Sequence, residues 1–156
     1  MRLHLCVVGR LKRGPEKMLV DDYLDRARRA GRALGISSVQ LNEVEDRKGG
    51  GPAAEAALLR GALPRGALTC CLDERGRRLS SPGFAETLAG WRDTGRQDVA
   101  FVIGGADGID PTLRDEAEMT LGFGEMVWPH MLARVMLSEQ IYRATAILAG
   151  TPYHRA

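Results

Sequence analysis

The chain has 156 residues, with 44% apolar residues, 27% charged residues and a formal net charge of +2. This composition fits one soluble globular domain and excludes a wholly disordered chain. No apolar run approaches the roughly 20 residues of a membrane span, and aromatics are so scarce, at 5%, that the core must rest on Leu, Val, Ile, Ala and Met.

Strand-like and helix-like segments alternate. Leu3–Val8 is a short apolar run closed by Gly9, read as a buried strand. Gly14-Pro15 opens a helix in which Val20, Tyr23, Leu24, Ala27 and Ala30 recur at three and four, with Gly35 as its stop. Ile36–Val44 reads as a second strand and Arg47–Pro52 as a Gly-rich loop, followed by an Ala-rich helix to about Leu63. Ala67–Leu72 is a third strand, cut by Asp73-Glu74-Arg75-Gly76. A helix follows with Ser81 as its N-cap and Phe84, Leu88 and Trp91 on the core side.

Val99–Ile103 is a fourth strand, stopped by Gly104-Gly105, and Asp110-Pro111 opens another short helix. Met119–Val127 is apolar but broken by Gly122 and Gly124, so it reads as strand plus loop. Pro129 starts a last helix that runs to about Ala149 and ends at Gly150. Strands alternating with helices predict a single-domain α/β sandwich on a mostly parallel sheet. The last helix carries Leu132, Val135 and Met136 on one side and Leu137, Ile141, Ala144 and Leu148 on another. A helix apolar on most of its surface asks for burial on most of it, which predicts a homodimer unless the helix lies deep in the monomer.

The small net charge hides an asymmetry. Residues 1–35 hold nine Lys/Arg against four acids, and the remainder holds 13 against 16. Clusters at Arg10, Lys12 and Arg13, and at Arg26, Arg28, Arg29 and Arg32, read either as a track for a phosphate backbone or as a solvated helix face. Cys6, Cys70 and Cys71 are odd in number and two are adjacent, so no disulfide framework and no metal site is expected. With no signal-peptide pattern at the start, a cytoplasmic protein is expected.

The strand–glycine segment Val102–Gly108 is neither a GxGxxG nor a Walker A loop, which disfavours a dinucleotide or nucleoside triphosphate. Together with Leu72-Asp73 and Gly122–Trp128 it predicts a pocket floored by backbone, suited to an uncharged-base nucleoside. On the last helix, Glu139 and Arg143 stand at the i,i+4 spacing of a structural ion pair. The tail is unusual for a chain end. Tyr153 can stack on a base, Arg155 can hold a phosphate and His154 can move a proton. His130 and His4 read as structural.

Val102-Ile103-Gly104-Gly105-Ala106-Asp107-Gly108, Pro129-His130 with Leu132, Arg134 and Leu137, Glu139–Ala144, and Pro152-Tyr153-His154-Arg155 resemble the ribosomal RNA large subunit methyltransferase H family. The likeness covers the whole chain. It implies a SPOUT-like α/β knot with a C-terminal trefoil, acting as a homodimer. The implied reaction is methyl transfer from S-adenosylmethionine to N3 of a pseudouridine in helix 69 of 23S ribosomal RNA, on the assembled 70S ribosome. No metal and no membrane are implied.

By motif position the cofactor contacts fall at Leu72, Gly104, Phe123, Gly124, Glu125, Met126, Val127 and Trp128. Phe123-Gly124-Glu125 and Val127 depart from the small polar residues and Thr usual in that family's loop, which rests the expected contacts on the backbone. The expected catalytic set is His154 for the proton, Arg143 and Arg155 for anionic oxygens, Glu139 to orient an arginine and Tyr153 against an extruded base. Arg10, Lys12, Arg13, Arg28 and Arg29 are expected to meet RNA phosphates. The rival readings are a SPOUT enzyme for another RNA site, a ligand-binding regulatory module and a ribosome-assembly factor without catalysis.

Overall fold

A computed structural model describes residues 1–155. Five strands form one parallel sheet in the order β2-β1-β4-β3-β5: β1 Arg2–Val8, β2 Ser38–Val44, β3 Leu68–Arg78, β4 Asp98–Ile103 and β5 Met119–Gly122. The helices are α1 Pro15–Gly31, α2 Gly51–Ala62, α3 Ser81–Asp93, α4 Pro111–Glu116 and α5 His130–Ala149. This is the expected single-domain α/β sandwich.

The alternation of side chains along β1 explains the layers. Leu3, Leu5 and Val7 join the larger core with Val20, Leu24, Phe84, Leu88, Leu137 and Ile141, residues of α1, α3 and α5. Cys6 and Val8 join the opposite core with Ala56, Leu59 and Leu113, residues of α2 and α4. A strand covered on both faces reads as a near-continuous apolar run, and in Leu3–Val8 the single polar residue, His4, is buried on a hydrogen bond to Asp98. Burying each Leu or Val contributes about 1.5–3 kcal/mol before the entropy of ordering is subtracted. Phe101 anchors the larger core, with Phe84 and Trp91 at ring-centroid distances of 5.9 and 6.4 Å. The three cysteines are buried and unpaired.

At the amino end of the sheet, His4 is structural as expected. Its Nε2 donates to Asp98 at 2.9 Å, and Arg2 adds two bonds of 2.7 Å. The bonds from Arg2 and then His4 hold the Asp98 carboxyl down at about 2.

Four local expectations need correction. Strand β2 begins at Ser38, because Ile36 closes the α1 turn through its amide to Gly31 and lies in the core. The N-cap of α3 is Ser80, whose Oγ accepts from the Gly83 amide at 3.1 Å. Ser81 is the first helical residue and donates instead to Gln140 Oε1 at 2.7 Å. Strand β5 is only Met119–Gly122, and residues 123–129 are loop.

The fourth correction has the largest consequence. β3 continues past Leu72 to Arg78, and both Leu72 and Arg77 pair with Leu121 of β5. Between these pairings the register shifts, and Gly76 comes so close to the β5 backbone that an added Cβ would lie 2.6 Å from the Leu121 carbonyl carbon. Only glycine allows that approach.

Candidate functional site

Two hollows share Leu121 and Phe123 as a common wall. The first, of about 650 Å³, lies at the carboxyl ends of β3 and β4. In parallel sheets these ends leave backbone groups open to a ligand. Leu72, Ile103, Gly104, Phe123, Met126, Val127 and Trp128 line it. Gly104 belongs to a folded-back loop, since a Cβ there would meet the Gly108 carbonyl oxygen at 2.6 Å.

Within the lining Asp73 and Arg75 neutralise each other, whereas Glu74 and Asp107 have no ion-pair partner among the described residues. Asp73 is nearly buried and accepts from Arg75 Nε at 2.8 Å, with Arg114 at 3.6 Å on its other oxygen. Burial pushes the Asp73 carboxyl up, but the bonds from Arg75 outweigh it and the group lies below the usual carboxylate range. His130 also lines the cleft. Burial and then the Arg134 charge lower its pKa against an opposing effect of Glu55, which keeps the ring neutral. The expected structural hydrogen bond of His130 is not found among the described residues. Space of this size, apolar walls and open backbone fit a nucleoside with a neutral base. The only arginine in the lining is already paired, so a polyphosphate is poorly served.

Of the residues expected to hold the cofactor, six line this cleft. Gly124 lines the second hollow instead. Glu125 is exposed and pairs outward with Arg78 at 2.6 Å, so its carboxylate takes no part in the cleft wall.

The second hollow, of about 540 Å³, is walled by Leu19, Tyr23, Phe84, Val135 and Met136, with Glu139 and Gln140 at its polar side. Here the tail folds back onto α5. Glu139 Oε1 accepts from Tyr153 Oη at 2.8 Å and from Arg143 Nε at 2.9 Å. Arg143 Nη1 donates to His154 Nδ1 at 3.2 Å. The Arg143 guanidinium lies 4.7 Å from the centroid of the Tyr153 ring, which also packs on Tyr142 at 4.6 Å. Burial, then the bond to Glu139, raises the Tyr153 pKa well above its usual value, so this side chain remains a phenol.

Four of the five expected catalytic residues therefore form one connected cluster, and Arg155 stands exposed beside it. The ion pair of Glu139 and Arg143 is real and is also the hub of the tail. The sequence reading missed the outer link: Gln140 Nε2 donates to Glu139 Oε2 at 2.9 Å and is itself held by Ser81. Only the strip of polar residues along α5 signalled it.

The basic residues divide. Arg10, Lys12 and Arg13 are exposed in the loop after β1 and have no ion-pair partner among the described residues. Arg29 is paired with Asp25, and Arg28 donates from Nε to the Val39 carbonyl at 2.7 Å. Arg47 and Lys48, exposed after β2, were not singled out in the sequence. Parallel pairing of β1 with β2 and β4 brings these loops to the same sheet end as the glycine loop.

The family described as predicted SPOUT methyltransferase matches residues 1–154. The chain is 68% identical over 155 residues to the ribosomal RNA large subunit methyltransferase H of Dinoroseobacter shibae. It is 66% identical over the same length to the proteins of that name from a Ruegeria species and from Paracoccus denitrificans. In each case the match covers 99% of both chains. No described helix is long and apolar enough to cross a membrane.

Proposed function

The chain belongs to the SPOUT methyltransferase family, and on that premise we propose that it methylates 23S ribosomal RNA. The donor is S-adenosylmethionine and the acceptor is N3 of a pseudouridine in helix 69 of the assembled ribosome. The observation that carries this reading is the closure of the C-terminal tail onto α5 through Glu139, Arg143, Tyr153 and His154. A module that only bound a ligand in the glycine-loop cleft has no use for such a cluster.

Leu72, Gly104, Phe123 and residues 126–128 would hold the cofactor, which supplies an electrophilic methyl group on a sulfonium. His130 is neutral and Asp73 is paired with Arg75, while Glu74 and Asp107 in the same lining leave the cleft's unpaired charge negative, which suits that cation. In the reaction a bond would form between N3 and the methyl carbon, the carbon–sulfur bond would break to leave a thioether, and the N3 proton would pass to solvent water. The chain's task is to fix donor and acceptor in line and to manage that proton.

His154 manages it. A guanidinium only donates, so the contact with Arg143 occupies the Nδ1 lone pair, and the neutral ring presents Nε2–H. That donor steadies the imide anion through the carbonyl oxygen beside N3. Accepting the proton directly requires Nδ1 to leave Arg143. Tyr153 packs on the extruded base, Glu139 aims Arg143, and Arg155 meets a phosphate.

The tail cluster and the cofactor cleft open into different hollows of one chain. A homodimer in which one tail reaches the partner's cofactor resolves this separation. Met18, Leu19, Met131 and Leu132, all exposed and apolar, supply a surface for it. We infer the trefoil threading from the family alone. The enzyme works in the cytoplasm, where ribosomes are. Arg10, Lys12 and Arg13, joined by Arg47 and Lys48, meet RNA phosphates; Arg28 and Arg29 take a smaller share. Deleting residues 153–156 tests the reading: turnover should vanish while cofactor binding persists, whereas retained turnover would refute it.

A further inference from the structure

At the carboxyl end of β1 a buried ion pair holds the chain. Arg134, on the first turns of α5, is 1% exposed. Its Nη1 donates to Glu43 Oε2 at 2.9 Å, and its Nη2 donates to the carbonyls of Val8 at 3.0 Å and Gly9 at 2.8 Å. The same Glu43 Oε2 accepts the Leu11 amide at 2.7 Å. Three of these bonds fasten residues 8–11, and the fourth joins their two holders, Glu43 of β2 and Arg134 of α5.

These are the residues from which Arg10, Lys12 and Arg13 project. No other side-chain bond to the backbone of residues 9–13 is made among the described residues. Gly9 has a positive φ of 90°, so the loop turns sharply where Arg134 grips it. A buried ion pair of this kind contributes little net stability, because desolvation offsets most of its attraction. Burial lowers the Arg134 pKa while the Glu43 charge raises it back, and Arg134 Nε has no partner. The arrangement is poor as a stabiliser and specific as a clamp.

We propose that Glu43 and Arg134 are a positioning pair that presets the Gly9–Arg13 loop as a phosphate-binding lip beside the cofactor cleft. The proposal rests on RNA being the substrate. Arg134 is one turn from His130, which lines the cleft, so the pair ties the lip to the same helix that borders the cofactor. A preset lip meets the RNA without the ordering cost a free loop would incur, and its three cations arrive at fixed separations.

The test is a double-mutant cycle on the full-length protein, read as ribosome affinity at constant salt. Glu43→Gln should weaken binding to 70S ribosomes about tenfold, leaving cofactor affinity unchanged and raising KM rather than lowering kcat. In an Arg10→Ser/Lys12→Ser/Arg13→Ser background the same substitution should change ribosome affinity by less than about twofold. Glu43→Asp, which keeps the charge, should restore part of the affinity and stands in if Glu43→Gln does not fold. An equal loss in both backgrounds, or a parallel loss of cofactor binding, would show that the pair is merely structural and overturn the proposal. A wild-type protein that binds cofactor but never labels ribosomes would instead sink the assigned reaction.

Discussion

Arg143 Nη1 meets Nδ1 of His154 at 3.2 Å, and because the guanidinium is always a donor, this contact settles which ring nitrogen is free to act. The ring is held as an acceptor at Nδ1 and offers Nε2–H outward. The tail is therefore organised before any RNA arrives.

This polarity separates two roles for His154. His154→Ala should lower the single-turnover rate by about 10²–10⁴-fold. His154→Gln, whose amide can replace the Nε2–H donor, should retain a rate within roughly tenfold of wild type if donation is the main contribution. Equal loss in both variants would assign the ring to accepting the proton.

Glu139 is the hub of the cluster, accepting from both Tyr153 and Arg143. Glu139→Gln keeps the shape and removes the charge that aims Arg143. The rate of methyl transfer should fall by about 10–100-fold with cofactor affinity unchanged. Calorimetry beside stopped-flow kinetics checks this, and a change confined to cofactor affinity would contradict it.

The lip cations should be visible in the salt dependence of ribosome binding. Removing Arg10, Lys12 and Arg13 should flatten the log–log slope by roughly 0.7–0.9 for each phosphate left without its cation. Replacing Arg29 and Asp25 together should change the slope far less, since that pair is already neutral. An unaltered slope in the triple variant would return the lip to ordinary solvated surface.

At the amino end of the sheet, Asp98 predicts a pH dependence of stability. Its carboxyl titrates at about 2 when folded, against 3.8 as a free group. The stabilisation is therefore complete above pH 4 and fades as the pH falls through the folded value. With Arg2 half exposed, Asp98→Asn should cost ~1–2 kcal/mol at pH 7, and the difference from wild type should shrink below pH 4. Denaturant titrations at both pH values measure it.

The close approach of Gly76 to β5 makes a steric prediction. Gly76→Ala puts a Cβ 2.6 Å from the Leu121 carbonyl carbon, and the backbone on both sides is fixed. The cost should be at least ~1–3 kcal/mol, read as a lower unfolding midpoint. An unchanged midpoint would mean that β3 does not approach β5 so closely there.

The sheet and helices were legible because burial on both faces leaves a dense apolar mark, unbroken in Val99–Ile103 and interrupted only by His4 in Leu3–Val8. Local chemistry misplaced the α3 cap by one residue, since Ser80 and Ser81 both offer a hydroxyl and only the helix axis decides between them. The extension of β3 through Asp73–Arg78 was illegible. Those residues are charged, and what makes them strand is a pairing with Leu121 some 45 positions away. The Glu43–Arg134 clamp was hidden for the same reason, its partners being 91 residues apart. The tail showed itself by composition and by the family likeness, but its closure onto Glu139 is a product of the fold.

The most direct test of the whole account is to incubate the protein with methyl-labelled S-adenosylmethionine and 70S ribosomes lacking the modification, then map the label. The account predicts a single methyl group on N3 of a pseudouridine in helix 69 of 23S ribosomal RNA, with little on the free RNA. Label at another site, or none on ribosomes, would contradict it.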